Sequence, residues 1–298
     1  MFELSGRCAP AQAVFEDAHA ILGRDVRQWV LAATPAQLYA NASAQLLCCL
    51  QALAAWRALD LQQALPGEEI VLAGYSVGEL ASWGCAGLIA PADVLRLAIV
   101  RAEAMDRAAG SDTGMASVRG LARASMERLC RAHGCEIAIA LSEDSVVVGG
   151  RREALASLVR EALASGARRS TALPITVAAH TSLLAAASTE LRARLCEVPL
   201  AGGLLAGVRL LSGIDGDTVL DRAAGLDRLA QQLSHTLDWH ACLTACREAG
   251  VTRVLELGPG KALANMAREA LPQARCRALE EFRSLDGVHT WLRADRQE

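Results

Sequence analysis

Ile70-Val71-Leu72-Ala73-Gly74-Tyr75-Ser76-Val77-Gly78-Glu79-Leu80-Ala81-Ser82-Trp83 decides the fold. The first four residues are an apolar run suited to a buried strand, and the last four can begin a helix. Between them a G-x-S-x-G turn carries a serine at its apex. In that context the turn lifts the Ser76 hydroxyl clear of a sheet. Both glycines are expected where tight backbone leaves no room for a Cβ. The following helix puts Ser76 at the positive end of a dipole and turns the Val77 N–H toward a developing oxyanion. A serine that only caps the helix is the alternative reading of these residues.

The rest of the composition narrows the class. The chain has 298 residues, is 52% apolar and carries a net charge of −3. That is ample for a core, and it argues against disorder and against a nucleic-acid partner. Of the 30 basic residues only Lys261 is lysine, so a lone arginine carries little weight by itself. The ten cysteines are scattered, with no C-x-x-C pair. They read as small buried apolar residues of a reducing cytosol, with neither a metal site nor a disulfide framework. No apolar run approaches membrane-spanning length and the start is not a signal peptide, so a cytoplasmic protein without a membrane partner is expected.

Working outward from the turn, residues 41–59 read as a long helix with Leu46, Leu47, Leu50, Leu53 and Trp56 at helical spacing, expected to pack on the sheet. Pro91 suits a first helical turn, and that helix runs to about Ala108. From Gly114 the pattern changes to strand, helix, strand, strand, helix, strand, the order of a ferredoxin-like unit. Further expected elements are a strand at 208–212, helices at 226–237 and 239–249, and a strand at 254–257 turning through Gly258-Pro259-Gly260 into a helix. Strands alternating with helices outside the inserted unit imply an α/β fold: a mostly parallel sheet flanked by helices. The expected division is a large α/β domain in two parts, 1–113 and 180–298, with a ferredoxin-like small domain inserted at 114–179.

Ser76 needs a base if it is a nucleophile. Of six histidines, His180 stands out because it follows the uncharged run Leu173 to Ala179, where the inserted unit rejoins the large one. A satisfied core histidine is the competing reading.

Four segments then resemble one family, the malonyl-CoA:acyl-carrier-protein transacylases. Gly74-Tyr75-Ser76-Val77-Gly78-Glu79 is similar to its G-H-S-x-G-E motif. Residues 94–101 resemble the helix ending in its carboxylate-binding arginine, here Arg101. Residues 173–180 resemble the segment carrying its histidine, and 255–261 its E-x-G-P-G-K turn. Order and spacing agree from about Ala11 to Leu271. Tyr75 in place of the family's histidine, Ser142-Glu143-Asp144 and Val146 to Gly150 look most like the epsilon subunit of bacterial malonate decarboxylase.

The resemblance implies an acyltransferase/hydrolase-like core and a reaction. Ser76 would attack malonyl-CoA with His180 as base, Val77 would supply an oxyanion N–H, and Arg101 would hold the free malonyl carboxylate. A backbone carbonyl near Asp238 would orient His180. The malonyl group would pass to the thiol of an acyl carrier protein, in the first instance the decarboxylase's carrier subunit. Malonyl-CoA would be a substrate, with no cofactor or metal held permanently. The alternatives are the same transfer for fatty-acid or polyketide synthesis, a serine hydrolase, or an inactive binding subunit. The last arises because Met1 to Gly6 starts after the point where the family has a strand and a G-Q-G-x-Q loop bearing a second oxyanion donor. Coding sequence upstream of Met1 is therefore expected.

Overall fold

Residues 41–59 show how the composition is spent. Leu46, Cys49, Leu50, Leu53, Ala54 and Leu59 are all buried, and so are Gln45 and Gln51. A helix buried on every side belongs inside a fold rather than on its surface. The computed structural model describes residues 1–199 and 201–294. The helices and strands, in chain order, are α1 (Gln12–Leu22), α2 (Val26–Ala32), α3 (Pro35–Tyr39), α4 (Asn41–Leu59), α5 (Leu61–Ala64), β1 (Ile70–Leu72), α6 (Val77–Cys85) and α7 (Pro91–Ala108). They continue with β2 (Thr113–Arg119), α8 (Arg123–His133), β3 (Glu136–Ser142), β4 (Ser145–Arg151), α9 (Arg152–Ala164), β5 (Arg169–Ala172), α10 (Ala185–Glu197) and β6 (Val208–Leu210). The last are α11 (Arg222–Gln231), β7 (Leu237–Asp238), α12 (Trp239–Glu248), β8 (Arg253–Glu256), α13 (Ala262–Ala270), β9 (Arg275–Ala278) and α14 (Leu285–Arg293).

The chain divides into two units. The first comprises residues 1–99, 198–211 and 246–298. Its strands form two parallel pairs, β1 with β6 (Ile70 opposite Val208) and β8 with β9 (Arg253 opposite Arg275). Helix α4 packs on α6, and the Cys49 thiol meets the Val77 carbonyl at 3.8 Å. Gln51 is buried on α4 with both ends of its amide used: Oε1 accepts from the Phe2 N–H at 3.1 Å, and Nε2 donates to the Leu257 carbonyl at 3.0 Å. The stretch Asn41–Ala64 is long and apolar enough to cross a membrane by length and composition, with most of its apolar part buried inside the fold. This corrects the expectation that no apolar run approaches that length. In the sequence, Arg57 and Asp60 interrupt its apolarity.

The second unit comprises residues 100–197 and 212–245. Its sheet has five strands in the order β5-β2-β4-β3-β7. Strand β2 is antiparallel to both β4 and β5, β4 is antiparallel to β3, and β7 joins β3 in parallel. Helices α8 and α9 cover one face, and Val118, Met126, Leu129, Val146, Val148, Leu155 and Leu158 fill the space between. The expectation of a mostly parallel sheet is thereby corrected. The largest sheet is mixed and mainly antiparallel, because Glu143-Asp144 is too short a link between β3 and β4 for anything but a hairpin. The helix expected at 226–237 is corrected as well. It starts earlier, where Asp221 accepts the Ala224 N–H at 2.7 Å, and ends by Gln231, leaving 237–238 to pair as β7. All ten cysteines are free thiols.

Candidate active site

The serine turn is built as its context requires. Strand β1 runs into Ser76, which sits at φ 53°, ψ −118° as the residue before α6. For a non-glycine residue this is costly backbone, of a kind concentrated at functional sites. The Gly78 N–H donates to the Tyr75 carbonyl at 2.9 Å, and the Glu79 N–H to the Ser76 carbonyl at 3.0 Å. Val77 is the first residue of α6, where a backbone N–H has no acceptor within the helix. The two glycines are not equivalent. A Cβ at Gly74 would lie 2.1 Å from the Glu79 backbone nitrogen, whereas one at Gly78 would meet nothing within 4 Å. The expectation that both are forced by crowding holds for Gly74 and is corrected for Gly78. Glu79 is fully buried, and burial pushes the Tyr75 phenol up to about 12.

His180 belongs to the second unit, on the segment between β5 and α10. That segment is tied to the sheet. Leu173 N–H donates to the Met115 carbonyl at 2.9 Å, and the Thr113 hydroxyl donates to the Thr176 carbonyl at 2.8 Å. Gly149 on β4 lets it approach closely, since a Cβ there would lie 2.7 Å from Thr181 Cγ2. After a tight turn from Val177 to Ala179, His180 takes a positive φ of 62° and is 2% exposed. Its backbone N–H donates to the Leu233 carbonyl at 2.9 Å.

The His180 ring has a single fixed tautomer. Nδ1 lies 2.6 Å from the Gln232 backbone oxygen. A carbonyl can only accept, so Nδ1 carries the proton and Nε2 presents its lone pair. Burial first and the Arg101 charge second lower the imidazole pKa to about 4, against the opposing bond to Gln232. The ring is therefore neutral at pH 7 and able to accept a proton at Nε2.

Arg101 lies on α7 and is 1% exposed. Its Nη2 donates to the Gln232 side-chain oxygen at 3.1 Å, and its Nη1 to Met105 Sδ at 3.5 Å. Gln232 thus holds His180 with its backbone and Arg101 with its side chain. The structure brings these three residues together; Ser76 and Val77 belong to the first unit.

Asp238 is not the residue that orients His180, and that expectation is corrected. Its carboxylate pairs with Arg123 at 2.7 Å and accepts the Ala241 N–H at 2.9 Å, which caps α12. Its own N–H donates to the Gly213 carbonyl. A backbone acceptor leaves no mark in side-chain identity, which is why it was misplaced. A usable signal did exist: Gly225, Leu229 and Gln232 fall at i, i+4 and i+7, so Gln232 is a polar residue on a buried stripe. Three other histidines have hydrogen-bond partners of their own: His133 with Glu161, His235 with Gln231 and His289 with Leu59. Among the described residues no group of three or more His, Cys, Asp or Glu could hold a metal ion.

Comparison with known proteins adds the family. The acyl transferase domain model matches residues 30–273. The malonyl CoA-acyl carrier protein transacylase of Mycobacterium tuberculosis is 32% identical over 249 residues, covering 83% of this chain and 80% of the relative. The acyl-carrier-protein S-malonyltransferase of Burkholderia pseudomallei superposes with a TM-score of 0.87 at 28% identity, covering 96% of this chain and 93% of that one. A malonyl-transacylase solved in complex with its type II polyketide acyl-carrier protein has the same fold, with a TM-score of 0.88 at 23% identity and coverage of 98% and 93%.

Proposed function

We propose that this chain transfers a malonyl group, and the premise is its family: it belongs to the acyl transferase domain family and, within it, to the malonyl CoA-acyl carrier protein transacylases. It is an enzyme of the serine-nucleophile acyltransferase kind, an acyl-carrier-protein S-malonyltransferase that uses malonyl-CoA as substrate. The observation that carries the residue assignment is Ser76, held at φ 53° between a strand and a helix start.

In this reading Ser76 Oγ attacks the thioester carbonyl while His180 Nε2 takes its proton. The Val77 N–H stabilises the oxyanion, which collapses to a malonyl-serine ester as the CoA thiolate leaves and is protonated from His180. A carrier thiol then gives its proton to His180 and attacks the ester; the malonyl carrier thioester forms as the Ser76 Oγ bond to the acyl carbon breaks, and Oγ takes the proton back from His180. Arg101 grips the free carboxylate through charge-assisted bonds, each worth ~1.5–3 kcal/mol. A buried guanidinium suits this role, because a carboxylate repays desolvation that a neutral acyl group would not. The partner is an acyl carrier protein, in keeping with the carrier complex of the relative of the same fold. We place the reaction in the cytoplasm.

Malonyl transfer for fatty-acid or polyketide synthesis is the reading the relatives favour. Tyr75 and the short Glu143-Asp144 link support a second one, in which the chain is the epsilon subunit of a malonate decarboxylase and loads that enzyme's carrier. We also read 114–179 as a ferredoxin-like small domain within a large domain of 1–113 and 180–298. The element order β2-α8-β3-β4-α9-β5 and the strand order β5-β2-β4-β3 support it.

The test is transfer. Malonylated protein is mixed with a phosphopantetheine-bearing fatty-acid carrier, and separately with a decarboxylase carrier. Rapid appearance of malonyl carrier is expected, and the faster carrier decides between the two roles. Release of free malonate at the same rate without any carrier would mean a hydrolase.

A further inference from the structure

We propose that the Gln232 side chain is a positioning residue that holds the Arg101 guanidinium for a substrate carboxylate, and so sets the preference for malonyl over acetyl thioesters; this rests on the malonyl-transfer reading above. Gln232 is completely buried, and its two carbonyl groups serve two different side chains. The backbone oxygen accepts from His180 Nδ1 at 2.6 Å, and the side-chain oxygen accepts from Arg101 Nη2 at 3.1 Å. Met105, one helical turn beyond Arg101 on α7, takes Nη1 at 3.5 Å. The guanidinium is therefore held from two directions.

That holding has two chemical consequences. An arginine side chain is rich in rotamers, and fixing its plane beforehand lowers the cost of forming a bidentate carboxylate contact. An amide oxygen also satisfies an N–H without cancelling charge. A carboxylate at the same place would neutralise Arg101 and compete with the malonyl carboxylate. Because the bond to His180 comes from the backbone, substitution of the side chain leaves that acceptor in place. The two roles of Gln232 can thus be separated by mutation.

The experiment measures acyl-enzyme formation on the full chain against concentration of malonyl-CoA and of acetyl-CoA. The variants are Gln232→Glu, Gln232→Met and Arg101→Gln. The proposal predicts that Gln232→Glu lowers the malonyl-to-acetyl ratio of kcat/KM at least tenfold, mainly through KM for malonyl-CoA. Gln232→Met, which keeps the volume and removes the oxygen, lowers it at least threefold. Arg101→Gln lowers it at least as far as the glutamate variant. If Arg101→Gln loses the preference while both folded Gln232 variants stay within twofold of the parent, Gln232 is structural only and the proposal is wrong. If Arg101→Gln also keeps the parent ratio, the carboxylate-binding reading fails and takes the proposal with it. Should the glutamate variant not fold, the methionine variant decides by the same ratio.

Discussion

A methyl group at Gly74 would stand 2.1 Å from the Glu79 nitrogen and 2.2 Å from its Cα, both backbone atoms that cannot step aside. Gly74→Ala is therefore expected to open the serine turn, abolishing acylation of Ser76 and lowering the thermal midpoint. Gly78→Ala meets no such obstacle and lies within α6, where alanine gains about 1 kcal/mol over glycine in helix propensity. It should fold at least as stably as the parent. A Gly78→Ala variant that melts far below the parent would contradict this account of the turn.

His180 makes a second prediction at this scale. Its folded pKa is about 4 against 6.5 for the free side chain. Between those values the unfolded chain binds a proton that the folded chain does not. Stability is thus fully present above about pH 6.5 and falls as pH drops toward 4, by about 3 kcal/mol at most. His180→Gln removes the titration, so its urea midpoint should fall less than the parent's between pH 7 and 4. Equal pH slopes would show that His180 does not titrate as its burial requires.

At the scale of elements, Asp238 caps α12 and pairs with Arg123. Asp238→Ala is expected to cost ~1–2 kcal/mol in urea unfolding. Acylation by malonyl-CoA should survive in the folded variant, because the acceptor for His180 is the Gln232 backbone. Loss of acylation in a well-folded Asp238→Ala would show that the Asp238 carboxylate serves the site beyond pairing with Arg123 and capping α12. Elements with strong local signals were legible in the sequence. The strand, turn and helix around Ser76 carry apolar run, glycine and helix pattern together, and α4 announces itself by apolar residues at helical spacing. Strand β7 was not legible, because two residues in a sheet have no periodicity of their own and exist only by pairing with β3. Strand β9 escaped for a related reason: Arg275-Cys276-Arg277-Ala278 alternates charge with small side chains, and its partner β8 supplies the other half of the signal.

At the scale of the whole molecule, what is local in sequence was readable and what is non-local was not. The order β-α-β-β-α-β could be read because each element is local. The mixed character of the five-stranded sheet depends on a pairing 98 residues apart, between Ile139 and Leu237. Ser76, His180 and Arg101 are site candidates in the sequence because each lies in a segment resembling a family motif. Gln232 could not, since its backbone role is independent of residue type and its bond to Arg101 spans 131 residues.

The most direct test of the central claim is the intact mass of the purified chain after brief exposure to malonyl-CoA, beside Ser76→Ala. A malonyl adduct on the parent, absent from the variant, is the predicted result, and it would mean that Ser76 is the acylated nucleophile. A folded parent that binds malonyl-CoA and gains no mass, or an adduct that persists in Ser76→Ala, would contradict it.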